Sequence, residues 1–97
     1  MPKNTDDGFY DRADEHIHLS NDQLASVDSR GKVSASMLYG TARFNAWLSA
    51  LGFSSGEQMA AAREETLAYF SEQYRLMLEE NLDDYIEHFA RYMQTKN

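Results

Sequence analysis

The sequence predicts an all-α protein, a three-helix bundle with a C-terminal helical extension or fourth helix. Apolar residues recur at three- and four-residue intervals along most of the chain, as they do on one face of a helix. Glycine and serine, which favour helix ends and caps, separate the periodic stretches, and no Gly or Pro interrupts residues 57–97. At 97 residues, the chain is expected to form a single domain over 1–97, with residues 1–5 disordered.

The central helix is predicted at about 33–51, with Ser34 as its N-cap. This segment carries a single charge, Arg43, and it is apolar almost all round. Such a helix is normally buried on several faces by its neighbours, so we expect it to form the core. It is barely long enough to span a bilayer, and Arg43 and Asn45 would be costly there, so no membrane contact is expected.

An amphipathic helix is predicted on each side of this segment. The first spans about 7–29 and ends before Gly31, a residue that tolerates the left-handed geometry of a helix stop. The other spans about 56–80. It begins at a capping box, for which two pairings are available: Ser54 with Glu57, or Ser55 with Gln58.

The last third of the chain has a second apolar stripe, rotated by roughly a quarter-turn from the stripe before it at ~100° per residue. This displacement predicts either a continuous helix whose two halves face different neighbours, or a kink or break near Asn81 followed by a helical segment at about 82–95. We expect its apolar residues to pack in the core or in an oligomer interface: Leu82, Ile86, Phe89 and Met93. Either the chain folds back as a fourth helix, or these residues are buried in a homodimer, the slightly favoured alternative.

Composition narrows the classes of function. The formal net charge is −7, and nucleic-acid binding needs a basic face, so no nucleic-acid partner is expected. The absence of cysteine excludes disulfides, thiolate metal sites and thiol nucleophiles. The N-terminus has no apolar signal-peptide region, which makes the cytoplasm the expected location.

Several short patterns resemble a family of proteins. They include Phe9-Tyr10, Gly31-Lys32-Val33-Ser34-Ala35, Ala42-Arg43-Phe44-Asn45-Ala46, Gln73-Tyr74-Arg75 and Met77-Leu78-Glu79-Glu80-Asn81-Leu82. Together they resemble a family of bacterial proteins of about one hundred residues, known only as a domain of unknown function. The resemblance covers the chain from about Phe9 to about Tyr92. It implies a bacterial, all-helical protein and supplies no activity, cofactor or catalytic residue.

One candidate binding site lies on the central helix, at Arg43, Asn45 and Trp47. Arginine presents a fork of donors that suits a carboxylate or phosphate, so these residues predict an anion or small-molecule pocket. The alternative, which we favour, is a partly buried pair between Arg43 and Glu64 or Glu65 that fixes helix register.

A candidate interaction site lies in the acidic run of the last helix, at Glu80, Asp84, Tyr85 and Glu87. Five acids fall within nine residues there, which indicates either an ordinary solvated face or a docking surface for a basic protein partner.

Motifs for catalysis or metal binding are weak. A single Glu15-x-x-His18 is present, whereas a di-iron bundle needs two such motifs and two further glutamates, so no metal is expected. No phosphate loop, zinc-ligand spacing or catalytic triad pattern occurs, and no cofactor is expected. The sequence therefore favours a small non-catalytic interaction or regulatory protein, acidic and homodimeric. A small-molecule, anion or metal binder is the alternative, and an enzyme whose site assembles between subunits is a weaker third hypothesis.

Overall fold

The computed structural model describes residues 5–94, and this part of the chain is all-α, without a strand. It contains five helices: α1 (Phe9–Leu24), α2 (Arg30–Ala50), α3 (Gly56–Ala61), α4 (Arg63–Glu87) and α5 (Phe89–Gln94). The all-α class is therefore confirmed. The predicted disorder of residues 1–5 falls outside the described residues except at Thr5, as does the predicted helix end at residue 95.

The described residues form two compact units, 5–61 and 62–94. The first contains α1, α2 and α3, and the second contains α4 and α5. The prediction of one domain over the whole chain stays a prediction, as does the three-helix bundle.

Helix α1 is shorter than the predicted 7–29, because serine side chains and tight turns intervene. The Ala25 N–H bonds to the carbonyl of Asp22 three residues back, at 3.2 Å, and the Ser26 hydroxyl bonds to the Gln23 carbonyl at the same distance. Such local bonds compete with continuation of the helix. At the other end, Arg12 pairs with Asp6 across 2.6 Å, so Asp6 stabilises the first turn through an ion pair.

Helix α2 begins at Arg30, three residues before the predicted start. Its N-cap is Ser29, whose hydroxyl accepts a hydrogen bond from the Gly31 N–H at 3.2 Å, so the predicted Ser34 cap is wrong. Gly31 lies in the first turn and does not stop the preceding helix. Lys32 pairs with Asp28 at 2.8 Å, which ties this turn to the chain before it.

The predicted helix at 56–80 is interrupted at Ala62. The predicted cap formed by Ser55 and Gln58 is confirmed. The Ser55 hydroxyl accepts a hydrogen bond from the Gln58 N–H at 3.1 Å. The Gln58 side-chain oxygen accepts a hydrogen bond from the Ser54 N–H at 2.6 Å. Helix α3 nevertheless ends after six residues. Beyond Ala62, whose carbonyl accepts from both the backbone and the hydroxyl of Thr66, α4 runs without a break.

The break predicted near Asn81 lies instead at His88. Helix α4 continues through Asn81, because the side-chain amide of that residue donates to the Met77 carbonyl at 2.8 Å and stays within the helical turn. Residues 82–87 therefore belong to α4, and only Phe89–Gln94 form a separate helix. The predicted segment at 82–95 is wrong in its start.

Within residues 5–61, the central helix is not buried on several faces, contrary to the prediction from the sequence. Helices α1 and α2 pack against each other, with the Ser20 hydroxyl 3.2 Å from the Met37 sulfur. Among the described hydrophobic side chains, however, only Val33 is buried, at 5% exposure. The remaining large apolar residues of α2 are exposed: Met37, Leu38, Tyr39, Phe44, Trp47 and Leu48. Apolar periodicity indicates which residues become buried, but it does not identify the chain that covers them.

None of the helices in the described part of the chain combines the length and the apolar character needed to cross a bilayer.

Candidate functional site

The apolar stripe predicted in the last third of the chain lies on the surface of the second unit. We call it the C-terminal face, and its residues are Leu82, Ile86, Phe89 and Met93. Leu82 and Ile86 are four residues apart and share one side of α4, and Phe89 and Met93 are four residues apart and share one side of α5. Ile86 is 73% exposed and Phe89 is 63% exposed. Exposed large apolar side chains clustered at one end of a unit are typical of an interaction surface.

A hydrogen-bonded cluster at the break between α4 and α5 holds the end of this face in place. The Tyr92 hydroxyl donates to Asp84 Oδ2 at 2.8 Å, and His88 Nδ1 lies 3.1 Å from Asp84 Oδ1. The His88 N–H also bonds to the Asp84 carbonyl oxygen at 3.0 Å. Asp84 therefore links the last turn of α4 to α5 across the break.

Aromatic packing strengthens the same junction. The rings of Tyr85 and Tyr92 lie 4.6 Å apart between centroids, and the Arg91 guanidinium carbon lies 5.1 Å from the centroid of the Tyr92 ring. Such contacts add roughly 0.5–1.5 kcal/mol each to area burial. Tyr85 is consequently part of the junction as well as a predicted docking residue.

The cluster lowers the pKa of one carboxyl group, that of Asp84. The hydrogen bond from Tyr92, and then the contact with His88, hold the pKa of Asp84 below its ordinary value. A carboxyl group with a lowered pKa in the folded state stabilises the fold above its ordinary pKa of about 3.9. That contribution is lost as the pH falls through the folded-state pKa.

Replacing Tyr92 with Phe should raise the pKa of Asp84 towards its ordinary value, because the strongest hydrogen bond to the carboxylate is removed. The carboxyl carbon shift of Asp84, followed by NMR against pH, measures this change. Tyr85→Phe is the matched control, since it keeps both the ring contact and the Tyr92–Asp84 bond. An unchanged Asp84 titration in Tyr92→Phe would show that the bond does not form in solution.

The four predicted docking residues differ in their surroundings. Glu80 and Glu87 are exposed, whereas Asp84 is half-buried and engaged by Tyr92 and His88. Earlier on α4, Arg75 pairs with Glu72 at 2.8 Å and also with Glu79. The structure thus leaves Glu80 and Glu87 as the accessible acids of the predicted docking set.

The predicted binding residues of the central helix do not converge. Arg43 and Trp47 line an open groove on the surface of α2, together with Tyr39, Gly40, Phe44 and Ala46. Asn45 is half-buried and does not line it. Arg43 has no ion pair within residues 5–61. Its predicted partners, Glu64 and Glu65, lie in the other unit, so the register pair stays a prediction.

This groove has limited capacity for a small ligand, because residues of a single helix line it. Small-molecule sites usually enclose most of the ligand surface within a concave pocket. Among residues 5–94, no group of three or more His, Asp or Glu side chains is placed to hold a metal ion. The arrangement favours contact with another macromolecule over enclosure of a small molecule.

Sequence reasoning missed two features of this surface. The Asp84–His88–Tyr92 cluster has four-residue spacing, which could have suggested it, but the intervening break made the eight-residue bond unexpected. The open surface around Gly40 was also missed. A Cβ built at Gly40 would meet no atom within 4 Å, so packing within residues 5–61 does not require the glycine.

Comparison with known proteins places the chain among uncharacterised proteins. A family model described as "Protein of unknown function (DUF3144)" matches residues 9–86. The NMR structure of the protein NB7890A from Shewanella sp is 40% identical and superposes with a TM-score of 0.77, covering 98% of this chain and 100% of that one. No curated protein matches the chain.

Proposed function

We propose that this chain, which belongs to the DUF3144 family of proteins of unknown function, is a non-catalytic interaction module that acts as a cytoplasmic homodimer. The resemblance seen in the sequence agrees with this family assignment. The proposal rests on one observation, the exposure of the C-terminal face.

The four apolar side chains of this face would gain stability if they were buried. Full burial of a large apolar side chain contributes roughly 1.5–3 kcal/mol, so four partly exposed ones represent several kcal/mol of unrealised stabilisation. Isolated exposed apolar residues are normal on protein surfaces, but a cluster of large ones indicates an interface. A second copy of the chain is always available to cover it, which favours self-association.

Sedimentation velocity over a wide range of protein concentration tests the dimer. We expect the sedimentation coefficient to rise with concentration and to reach the value of a dimer of the 11.1-kDa chain. A monomer at every concentration would overturn the proposal.

The acidic side of α4 supports the second part of the proposal, a docking surface for a basic protein. Glu80 and Glu87 lie about 100–160° around the helix from the centre of the C-terminal face, so dimerisation through that face leaves them accessible. Complementary charge of this kind guides association and selects partners. The affinity of such a contact should weaken as salt is added.

Reversing both charges, in a Glu80→Lys, Glu87→Lys variant, should remove binding of basic partners while the dimer persists. Partners cross-linked in cells and identified by mass spectrometry provide the measurement. Glu64→Lys with Glu65→Lys, on the first turn of the same helix, is the matched control. An identical set of basic partners in both variants would contradict the docking surface.

The small-molecule alternative has weaker support. Its residues Arg43 and Trp47 share the open groove, but Asn45 lies outside it. Thermal unfolding in the presence of anions and metabolites tests this alternative, since a ligand that binds only the folded state raises the melting temperature.

A further inference from the structure

A second exposed apolar surface lies in the first unit. We call it the α2 face, and it consists of Phe44, Trp47, Leu48 and Leu51. Phe44 is 57% exposed and Trp47 is 56% exposed. These residues continue the side of the helix that begins with Val33 and Met37, where α1 packs. Within residues 5–61, no helix packs over the C-terminal half of this side of α2 as α1 does over its N-terminal half.

Gly40 lies on the same side of α2, one turn before Phe44. Glycine in a helix interior is less favourable than alanine, and here an added Cβ would meet nothing within 4 Å. Neither a turn nor a packed neighbour inside the unit accounts for it. A helix that approaches closely from outside the chain would use the missing side chain.

Charge distinguishes the two exposed surfaces. Residues 29–56 carry three basic side chains and no acidic one: Arg30, Lys32 and Arg43. Residues 62–94 carry eight acidic side chains and three basic ones. The region that contains the α2 face is therefore positive, within a chain whose net charge is −7, and the region that contains the C-terminal face is strongly negative.

We infer that the α2 face of one copy packs against the C-terminal face of a second copy. This inference rests on the proposed homodimer and identifies what covers each surface in it. A two-fold axis would generate the same contact twice, once in each direction. Each copy then contributes two apolar faces: the α2 face, which lies in a positive region, and the C-terminal face, which lies in a negative region.

The charges at the edges of the two faces favour this unlike pairing. At about 100° per residue, Arg43 flanks the α2 face and Asp83 flanks the C-terminal face. Arg43 forms no ion pair within residues 5–61, and Asp83 forms none within residues 62–94. Pairing two α2 faces would bring arginines together, and pairing two C-terminal faces would bring acids together, whereas the unlike pairing places Arg43 near an acidic edge.

Paramagnetic broadening between copies tests the pairing directly. The chain has no cysteine, so Ala50→Cys, at an exposed position beside the α2 face, accepts a single spin label. Spin-labelled copies at natural isotopic abundance are mixed with ¹⁵N-labelled copies that carry no spin label. The protein concentration is one at which sedimentation velocity shows the dimer. We expect the amides of residues 78–89 in the unmodified copies to lose most of their signal intensity.

Two controls make the outcome specific. An Asp22→Cys label on α1 should leave the amides of residues 78–89 less affected, and the reduced, diamagnetic label should restore all signals. Broadening confined to the α2 amides of the unmodified copy would overturn the pairing while leaving the dimer intact. A dimer without intermolecular broadening would overturn it as well, whereas a strict monomer would remove the proposed function itself.

Discussion

Replacing Ile86 with Asn should abolish the dimer at micromolar concentration while leaving the helices folded. Ile86 is 73% exposed in the single chain, where an exposed substitution changes stability by no more than about 0.5 kcal/mol. In a symmetric dimer the change removes two apolar contacts and buries two amides, at roughly 1–3 kcal/mol for each amide. The dissociation constant should therefore rise by about 100-fold or more, since each 1.4 kcal/mol is tenfold.

Sedimentation velocity measures this loss, and circular dichroism checks that helicity is retained. Leu76→Asn is the matched control, because Leu76 is an exposed apolar residue of the same helix that lies outside the C-terminal face, about 110° around the helix from its centre. We expect Leu76→Asn to leave the dissociation constant within about threefold of the unmodified protein. Equal effects of the two substitutions would show that the C-terminal face has no special part in association.

The substitution Gly40→Leu should have opposite effects on the chain and on the dimer. Within the chain, an added side chain meets open space and removes a helix-destabilising glycine, a gain of up to about 1 kcal/mol. In the dimer it would obstruct the approaching helix, and overpacking typically costs about 1–3 kcal/mol per site. We therefore expect a raised dissociation constant, by about tenfold or more, together with unchanged or increased helicity.

A concentration series by sedimentation separates these two effects. Ala42→Leu adds a similar volume to the opposite side of α2, and it should leave association unchanged. If Gly40→Leu strengthened the dimer, no helix of the second copy would pack closely against α2 at Gly40. The proposed contact between the α2 face and the C-terminal face would then be contradicted at this position.

The sequence predicted the helical class and several helix ends because those features depend on local chemistry. Ser55 and Gln58 form the expected cap, and α2 ends at Ala50, just before Gly52. The start of α2 was misplaced because both Ser29 and Ser34 satisfy the capping pattern. The hydrogen bond from Gly31 to Ser29 decides between them, and it depends on the turn that precedes it.

The last third of the chain shows a second limit of sequence reasoning. The displaced apolar stripe led to a predicted break near Asn81, but α4 runs without a break through that residue, from Arg63 to Glu87. An asparagine inside a helix can bond to the preceding turn, as Asn81 does, so it need not mark a break. The interruption at His88 depends on the Asp84–Tyr92 bond, which joins residues that a continuous helix would hold apart.

Burial was the least predictable property of the candidate site. The periodicity of Leu82, Ile86 and Phe89 shows that these residues favour an apolar environment, and the structure leaves them exposed in the single chain. Sequence patterns show that these side chains favour burial, but they do not identify the molecule that buries them. Trp47 is a second example: it belongs to the helix that the sequence predicted to be buried, and the structure places it at a surface groove.

The most direct measurement is an isotope-filtered NOE experiment on a mixture of ¹³C-labelled and unlabelled copies. The chain has only two isoleucines, Ile17 and Ile86, so the Ile86 methyl signals are readily assigned. If a second copy covers the C-terminal face, these methyl groups will show NOEs to protons of unlabelled copies. Their absence, at concentrations high enough for any micromolar dimer to be fully formed, would contradict the account.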